Sequence, residues 1–181
     1  MLPSKLHAEG IVVNQSERSA AVEAVLRAEE MVRRSERLAA SAPVIVLGAN
    51  GFVGERLISR LAGRNIYAID VGPAGVDSAN RQSWPAQLSG QRALLINVAR
   101  SETLAAYLDL LWGSLVILNE VYPEPKPHIL EKLAAMNCRC YHLAGAVGTA
   151  YPSFPWPYVG AIPCCAAQID RETALIIRRL A

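Results

Sequence analysis

Three glycines, Gly48, Gly51 and Gly54, stand at a spacing typical of a turn whose backbone binds phosphate groups. In such a turn the first glycine lets the chain reverse sharply and the second lets the backbone approach a pyrophosphate. The third lets a helix pack closely on a strand, and the N-terminus of that helix faces the anion. We therefore expect a phosphate-binding loop formed by Gly48, Ala49, Asn50, Gly51, Phe52, Val53 and Gly54.

An acidic residue, Asp70, follows the next apolar segment of the chain, residues 66–69. A carboxylate at the end of a second strand accepts hydrogen bonds from the ribose hydroxyls of adenosine, and it repels a 2′-phosphate. The sequence therefore predicts NAD as the cofactor in preference to NADP. The alternative left open is a glycine turn in an α/β sheet whose crevice binds no nucleotide.

Two strands and a helix must position these residues. The run Val44 to Leu47 is unbroken and apolar, as in a strand covered on both faces. After the glycines, Val53, Leu57, Ile58 and Leu61 share one helical face, and Gly63 is a helix stop. The pattern predicts a Rossmann-like, doubly wound α/β fold with a mostly parallel sheet. We assign residues 43–181 to this dinucleotide-binding domain and residues 1–42 to an N-terminal extension.

The N-terminal extension contains a strand candidate at residues 10–13 and a long charged helix at residues 14–41, with Asn14 and Ser16 as possible caps. Its narrow apolar stripe includes Val22, Val25, Leu26, Val32 and Leu38. The stripe can pack against the α/β body or against a second copy of the chain. The second alternative predicts a homodimer.

The remaining elements follow from apolar runs and breakers. Residues 71–91 are rich in turn-forming residues and predict mostly loop. We expect strands at residues 92–98, 114–121 and 139–144. We expect three helices. The first follows a Ser101 cap and turns Leu104, Tyr107, Leu108 and Leu111 inward, and the second spans residues 127–136 and turns Leu130 and Leu133 inward. The third follows an Asp170 cap and carries Leu175, Ile176, Ile177 and Leu180.

The composition narrows the class of protein. Of 181 residues, 52% are hydrophobic, which suits one α/β domain with a small extension. A net charge of +2, without basic runs interleaved with aromatic residues, predicts that nucleic acid is not a partner. We find no apolar stretch of membrane-spanning length and no signal-peptide core, so we expect a cytoplasmic protein with no membrane contact.

The four cysteines occur as Cys138 and Cys140 and as the adjacent pair Cys164 and Cys165. Without an export signal, we expect reduced thiols. A zinc site would require the two pairs to converge, and neither has CxxC spacing. We therefore expect buried small side chains and no metal.

The segment 151–159 concentrates prolines and large aromatic residues, with Tyr151, Phe154, Trp156 and Tyr158 among them. These rings can line an apolar cleft, form a partner-binding surface or cover the sheet. All three alternatives stay open.

Beyond the glycine turn, residues 94–104, 116–139 and 142–154 resemble the cofactor domain of the shikimate dehydrogenase group. In that group a strand leads into an Asp-x-Val-Tyr-Asn-Pro-like segment, and here the matching stretch runs from Asn119 to Pro123 as Asn-Glu-Val-Tyr-Pro. The resemblance covers about residues 43–181. It implies that the glycine loop binds the phosphates, that Asp70 binds the ribose, and that Asn97, Val98, Ala99 and Arg100 lie near adenine or the nicotinamide ribose.

The chain departs from this family in its N-terminal part. The family's substrate-handling lysine and aspartate belong to a separate N-terminal domain, for which this chain has only about forty residues. Shikimate dehydrogenase activity is therefore not implied. As candidate catalytic residues we name His142, Tyr122 and Glu120, which the pattern places near the carboxyl ends of strands. His128 and His7 have weaker claims, and Cys164 would need a nearby base. A lone histidine at a strand end, such as His142, is more often a packed or hydrogen-bonded surface group.

Three functions agree with these patterns. The first is a small NAD-dependent oxidoreductase, or its cofactor subunit, whose site for a small-molecule or peptide substrate is completed by a second copy or another subunit. The second is a non-catalytic Rossmann-derived protein that binds a peptide, a metabolite or a partner protein. The third is a methyltransferase that holds S-adenosylmethionine against the glycine turn and Asp70.

Overall fold

Short apolar strands form the centre of the structure. The computed structural model describes residues 15–70, 78–100, 102–148, 161–163 and 172–181. In this part of the chain a seven-stranded sheet is formed by β1 (Val44–Leu47), β2 (Ile66–Ile69), β3 (Leu94–Asn97), β4 (Val116–Asn119), β5 (Arg139–Val147), β6 (Ala161–Ile162) and β7 (Leu175–Arg179).

The sheet is mostly parallel and runs in the order β2-β1-β3-β4-β5, with β6 and β7 pairing antiparallel to β5. Every residue of β1, β3 and β4 is buried, as a strand covered on both faces requires. The Rossmann-like α/β prediction is confirmed. The strand order reverses between β1 and β3, so the crevice where ligands bind in such folds lies at their carboxyl ends.

Helices cover both faces of the sheet. Their bounds are α1 (Gln15–Ser35), α2 (Phe52–Arg60), α3 (Ser78–Gln82), α4 (Thr103–Ala106) and α5 (Pro127–Ala135), with 3-10 turns at Ala86–Leu88 and Leu108–Leu110. The prediction of mostly loop for residues 71–91 is therefore wrong over α3 and the first 3-10 turn. Residues 71–77 lie outside the described part of the chain.

Strand residues alternate between two hydrophobic cores, because successive side chains of a strand point to opposite faces. Val44 and Val46 belong to the first core with α1 and α2. Ile45 and Leu47 belong to the second core, which contains Trp84, Tyr107, Trp112, Ile129 and Leu133. Of the two predicted inward residues of α5, Leu133 is buried, whereas Leu130 is only partly buried and Ile129 takes the inner position.

Helix α1 packs against the sheet and α2. Val22, Val25 and Val32 are buried there at 4%, 0% and 2% exposure. The chain's own sheet thus covers the apolar stripe, so a second copy would need another surface. The helix ends at Ser35 rather than at residue 41, because Arg37 adopts a left-handed backbone with φ 51°.

The predicted C-terminal helix is wrong, since residues 175–179 form strand β7. β7 pairs antiparallel with β5, which continues to Val147 and not merely to residue 144. The run Leu-Ile-Ile suits a strand as well as a helix, and the edge of β5 decides the outcome through its hydrogen bonds. The proposed cap Asp170 lies outside the described residues.

Other element bounds differ by a few residues from expectation. The strands predicted at 92–98 and 114–121 are Leu94–Asn97 and Val116–Asn119, and the helix predicted at 127–136 ends at Ala135. Three predictions lie outside the described part of the chain, namely the strand candidate at residues 10–13 and the caps Asn14 and Ser101. The same holds for the side chain of the proposed cap Ser16. None of the described helices has the length and apolar character needed to cross a membrane.

Candidate functional site

The turn between β1 and α2 requires glycine at its first and third glycine positions. Gly48 has φ 99°, and a Cβ there would lie 2.8 Å from the backbone of Ala99. A Cβ at Gly54 would lie 2.1 Å from the carbonyl oxygen of Gly48. Gly51 is less restricted, with 3.3 Å to the same oxygen. The helix start and the turn are therefore in backbone contact, which is the packing that the sequence pattern predicts.

The backbone amides of this turn divide into two groups. Gly48 N and Ala49 N both donate to Ile69 O, at 2.8 and 3.1 Å, and Gly51 N donates to Gly48 O at 3.1 Å. These three amides stabilise the turn itself. The amides of residues 52–54 belong to the first turn of α2, where the positive end of the helix dipole attracts anions. Within this loop, the amides at the start of α2 are therefore the ones not used by the turn's own hydrogen bonds.

Asp70 lies beside the glycine turn, as the sequence predicts for a ribose-binding carboxylate. Its Oδ2 accepts a hydrogen bond of 2.8 Å from Asn50 Nδ2, and its Oδ1 is 3.4 Å from Asn50 N. The structure thus brings together the loop and the carboxylate that the resemblance assigned to one cofactor. A carboxylate has about four acceptor positions, so the Asn50 contact does not exhaust Asp70.

A row of polar residues crosses the carboxyl side of the sheet next to this crevice. The register pairs Leu47 with Asn97, Asn97 with Asn119, Asn119 with His142 and His142 with Arg178. Residues in one row point to the same face, so the polar row lies at the rim of the second hydrophobic core. Asn97, Asn119 and His142 are 0%, 1% and 2% exposed.

Hydrogen bonds connect the members of the polar row. Asn97 Nδ2 donates to Asn119 Oδ1 at 2.7 Å, and Asn119 Nδ2 lies 2.8 Å from the Val121 carbonyl oxygen and 3.0 Å from His142 Nδ1. With Asn119 as donor, His142 Nδ1 is the acceptor and the proton of the neutral ring is on Nε2. At the crevice end, Ala99 N lies 3.4 Å from Asn97 Oδ1. The row therefore supports the turn that contacts Gly48.

Two charged residues lie at the far end of the polar row. His142 Nε2 is 3.6 Å from Glu124 Oε1, and Arg178 forms an ion pair with the same carboxylate. Burial is the largest influence on His142 and lowers its pKa; Arg178 lowers the pKa further, and together they outweigh the opposing effect of Glu124. His142 is therefore neutral at physiological pH.

The three candidate catalytic residues differ in their surroundings. His142 is buried within the polar row and is not a surface histidine. Tyr122 is 38% exposed, and Glu120 contributes its backbone amide to Asn97 O at 3.1 Å. Val98 N donates to Leu47 O at 3.0 Å, which ties the segment after β3 to β1.

Of the weaker candidates, the structure describes only His128. His128 is exposed on α5. His7, Cys164, Cys165 and the aromatic residues of 151–159 lie outside the described part of the chain, and the side chain of Arg100 is exposed.

Cys138 and Cys140 pack in the second core. Burial raises the pKa of the Cys138 thiol to about 11 and that of Cys140 to about 12. Neither thiol has the thiolate character of a nucleophile or ligand at neutral pH. Within the described ranges no three His, Cys, Asp or Glu side chains are grouped as metal ligands.

Glu124 and Arg178 were missed at the sequence level. Glu124 stands between two prolines, in the connection between the strand predicted at 114–121 and the helix predicted at 127–136. Arg178 was assigned to a helix, where it has no fixed relation to His142. If residues 175–179 are taken as a strand, Arg178 lies on the opposite face of the sheet from Ile177. That alternation is the one sequence signal that could have placed Arg178 near His142.

Comparison with known proteins identifies no family. No protein-family model matches the chain, and no curated protein matches it. Among solved structures, the crystal structure of aminotransferase AspB from Helicobacter pylori 26695 is similar over 62% of this chain, with 9% sequence identity and a TM-score of 0.33. The match spans 35% of the aminotransferase chain, so this chain corresponds to about a third of that protein's length.

Proposed function

We propose that this protein binds NAD at the carboxyl ends of β1 and β3 and forms the cofactor-binding part of an oxidoreductase. The observation that carries the proposal is the contact between the glycine turn and Asp70, made through Asn50. A phosphate-binding turn and a ribose-binding carboxylate are the two protein groups that such a dinucleotide needs on its adenosine side.

The position of the turn supports this proposal. The strand order reverses between β1 and β3, where open α/β sheets bind their ligands. The diphosphate would lie against the first turn of α2, and the adenosine ribose would lie at Asp70. Ribose hydroxyls can donate to the Asp70 carboxylate together with Asn50 or in place of Asn50. The negative charge of Asp70 favours NAD over NADP.

The polar row supports the crevice and does not itself perform the chemistry. Hydride transfer is the chemistry that a bound nicotinamide supplies. Asn97 holds the Ala99 turn, Asn119 holds Asn97, and neutral His142 accepts from Asn119. We assign His142 a positioning role, because its ring is 2% exposed and Nδ1 is engaged.

A non-catalytic binding protein is the second candidate. The observation that favours it is the burial of His142 within hydrogen bonds that support the fold. In that case the crevice binds NAD, or another metabolite or peptide, without turnover. A cofactor that binds tightly while no carbonyl or alcohol substrate changes the nicotinamide absorbance would favour this second function.

Thermal shift measurements with NAD, NADP and S-adenosylmethionine test the proposal. We expect NAD at about 100 times its Kd to stabilise the protein by about 2.7 kcal/mol, and NADP to give less. Asp70→Asn should reduce the response to NAD while retaining the hydrogen bond from Asn50. The matched control Glu131→Gln removes an exposed carboxylate of α5 and should leave the response unchanged.

Two results would contradict NAD binding. One is the absence of a shift with NAD in the wild-type protein. The other is an equal loss of response in Asp70→Asn and in Glu131→Gln. A shift with S-adenosylmethionine alone would support the methyltransferase alternative.

A further inference from the structure

A cavity opens at the amino ends of the strands, where β4 and β5 begin, on the opposite side of the sheet from the glycine turn. Its volume is about 630 Å³. The chain segments around it are the end of α1, the turns before β3, β4 and β5, and strand β7. The residues that line it are Ser35, Glu36, Arg37, Arg92, Ser114, Val116, Asn137, Arg139, Tyr141 and Arg179.

The cavity has a strong excess of positive charge. Four arginines, Arg37, Arg92, Arg139 and Arg179, line it together with a single carboxylate, Glu36. The side chains of Arg92 and Arg139 are 48% and 45% exposed, so their guanidinium groups remain accessible. One carboxylate cannot neutralise four guanidinium groups. The surface of the cavity therefore attracts anions.

Glu36 holds two of these arginines in place. The residue is 7% exposed, and its carboxylate accepts hydrogen bonds from Arg139 and Tyr141. Arg92 Nη2 donates to the Glu36 backbone oxygen at 2.7 Å and lies 3.7 Å from its Oε2. Burial opposes ionisation of Glu36, but the bonds from Tyr141 and Arg139 and the charge of Arg179 lower its pKa overall. The carboxylate thus remains ionised and organises the arginines.

The backbone around the cavity has an unusual conformation. Arg37, Ser114 and Asn137 have φ values of 51°, 70° and 59°, and within the described ranges they are the non-glycine residues with positive φ. All three line this cavity. Arg37 and Asn137 follow helices α1 and α5, where glycine is the common choice. A glycine at position 37 would end α1 without contributing a guanidinium group.

We propose that this cavity binds a small molecule with a diphosphate or similarly charged polyanionic group. The planar guanidinium group of arginine matches phosphate oxygens in pairs, and several arginines around one cavity favour a multiply charged anion. A volume of about 630 Å³ is that of a small-molecule site. The NAD crevice lies at the carboxyl ends of the strands and this cavity at their amino ends, so the two sites are separate.

Isothermal titration of the protein with inorganic pyrophosphate tests the inference. The double variant Arg37→Gln/Arg179→Gln removes two arginines that line the cavity and leaves the hydrogen bonds to Glu36 in place. We expect it to weaken pyrophosphate binding at least about tenfold. The control Arg34→Gln/Arg60→Gln removes the same charge from exposed positions outside the cavity and should change the affinity by less than about twofold.

A measurement on the wild-type protein complements the variants. Pyrophosphate should protect Arg37, Arg92, Arg139 and Arg179 from an arginine-specific dicarbonyl reagent, while Arg34 and Arg60 remain reactive, as mass spectrometry of the peptides will show. Absence of pyrophosphate binding, an equal loss of affinity in both double variants, or protection that does not distinguish the two groups of arginines would overturn the inference.

The test of pyrophosphate binding at this cavity is independent of the test of NAD binding. Asp70→Asn should leave the affinity for pyrophosphate unchanged, and Arg37→Gln/Arg179→Gln should leave the thermal response to NAD unchanged. Pyrophosphate binding that survives in the double variant and becomes tighter in Asp70→Asn, which removes a negative charge beside the turn, would place the anion at the glycine turn. That result would reject the second site and agree with the proposed function.

Discussion

The buried polar row places three polar side chains inside the sheet. Asn97, Asn119 and His142 occupy positions where neighbouring strand residues are apolar. Burial of such groups is unfavourable unless their hydrogen bonds are satisfied. Here Asn97 Nδ2 donates to Asn119 Oδ1, and Asn119 Nδ2 is bonded to His142 Nδ1. The row therefore fixes the relative positions of β3, β4 and β5 more strictly than apolar contacts would.

The lowered pKa of His142 predicts a pH dependence of stability. An unfolded histidine titrates near 6.5, whereas folded His142 takes up its proton only at lower pH. Between these two pKa values the unfolded chain binds more protons than the folded chain. The free energy of unfolding should therefore fall as the pH decreases below about 6.5.

Urea denaturation between about pH 7.5 and about pH 5.5 measures this effect. We expect a weaker pH dependence in His142→Gln, while His128→Gln, which changes an exposed histidine, should retain that of the wild type. Glu36 also has a lowered pKa, but it shifts from 4.5 and therefore acts below this range. A slope in His142→Gln equal to that of the wild type would contradict the assignment.

At the scale of elements, a buried ion pair docks helix α1 on the body of the protein. Glu29 is fully buried, with Arg33 Nε at 2.7 Å and Arg64 Nη1 at 3.2 Å from its Oε1. Arg64 lies in the turn after α2, so the carboxylate joins two helices that cover the same core. Removing the charge of Glu29 leaves Arg33 and Arg64 without this buried counter-ion.

We expect Glu29→Gln to lower the free energy of unfolding by about 3 kcal/mol. The matched control is Glu30→Gln, one residue along the helix and exposed, which should change it by less than about 0.5 kcal/mol. Urea denaturation followed by circular dichroism gives both values. Equal stabilities of the two variants would show that the ion pair does not hold α1.

The elements that the sequence predicts best are those with local patterns. β2 has the predicted bounds, and the β1–turn–α2 unit forms as expected because its apolar periods and glycines are adjacent in the chain. Asp70 meets the glycine turn for the same reason. β7 could not be predicted, since its state depends on the edge of β5, about thirty residues earlier. Arg178 reaches His142 through that same pairing, whereas Glu124 lies in the segment that follows β4, the other neighbour of β5.

At the scale of the whole molecule, the sheet separates two cores, and Cys138 and Cys140 belong to the second. Because burial raises the pKa of these thiols to about 11 and about 12, we expect iodoacetamide to alkylate neither in the folded protein. Their labelling should begin only with global unfolding in urea. Mass spectrometry of the peptides gives the rate at which each cysteine is alkylated. If the native protein is alkylated as fast as the unfolded chain, the prediction is wrong.

The outermost strand β7 has a consequence for the behaviour of the protein at high concentration. Within the described residues it pairs only with β5, so no described strand covers its other edge. Such an edge can recruit a strand from another molecule and start aggregation. Arg179 places a positive charge at the end of this edge, whereas the charge of Arg178 is paired with that of Glu124. Two molecules that approach edge to edge therefore repel each other, which opposes growth of the sheet into fibres.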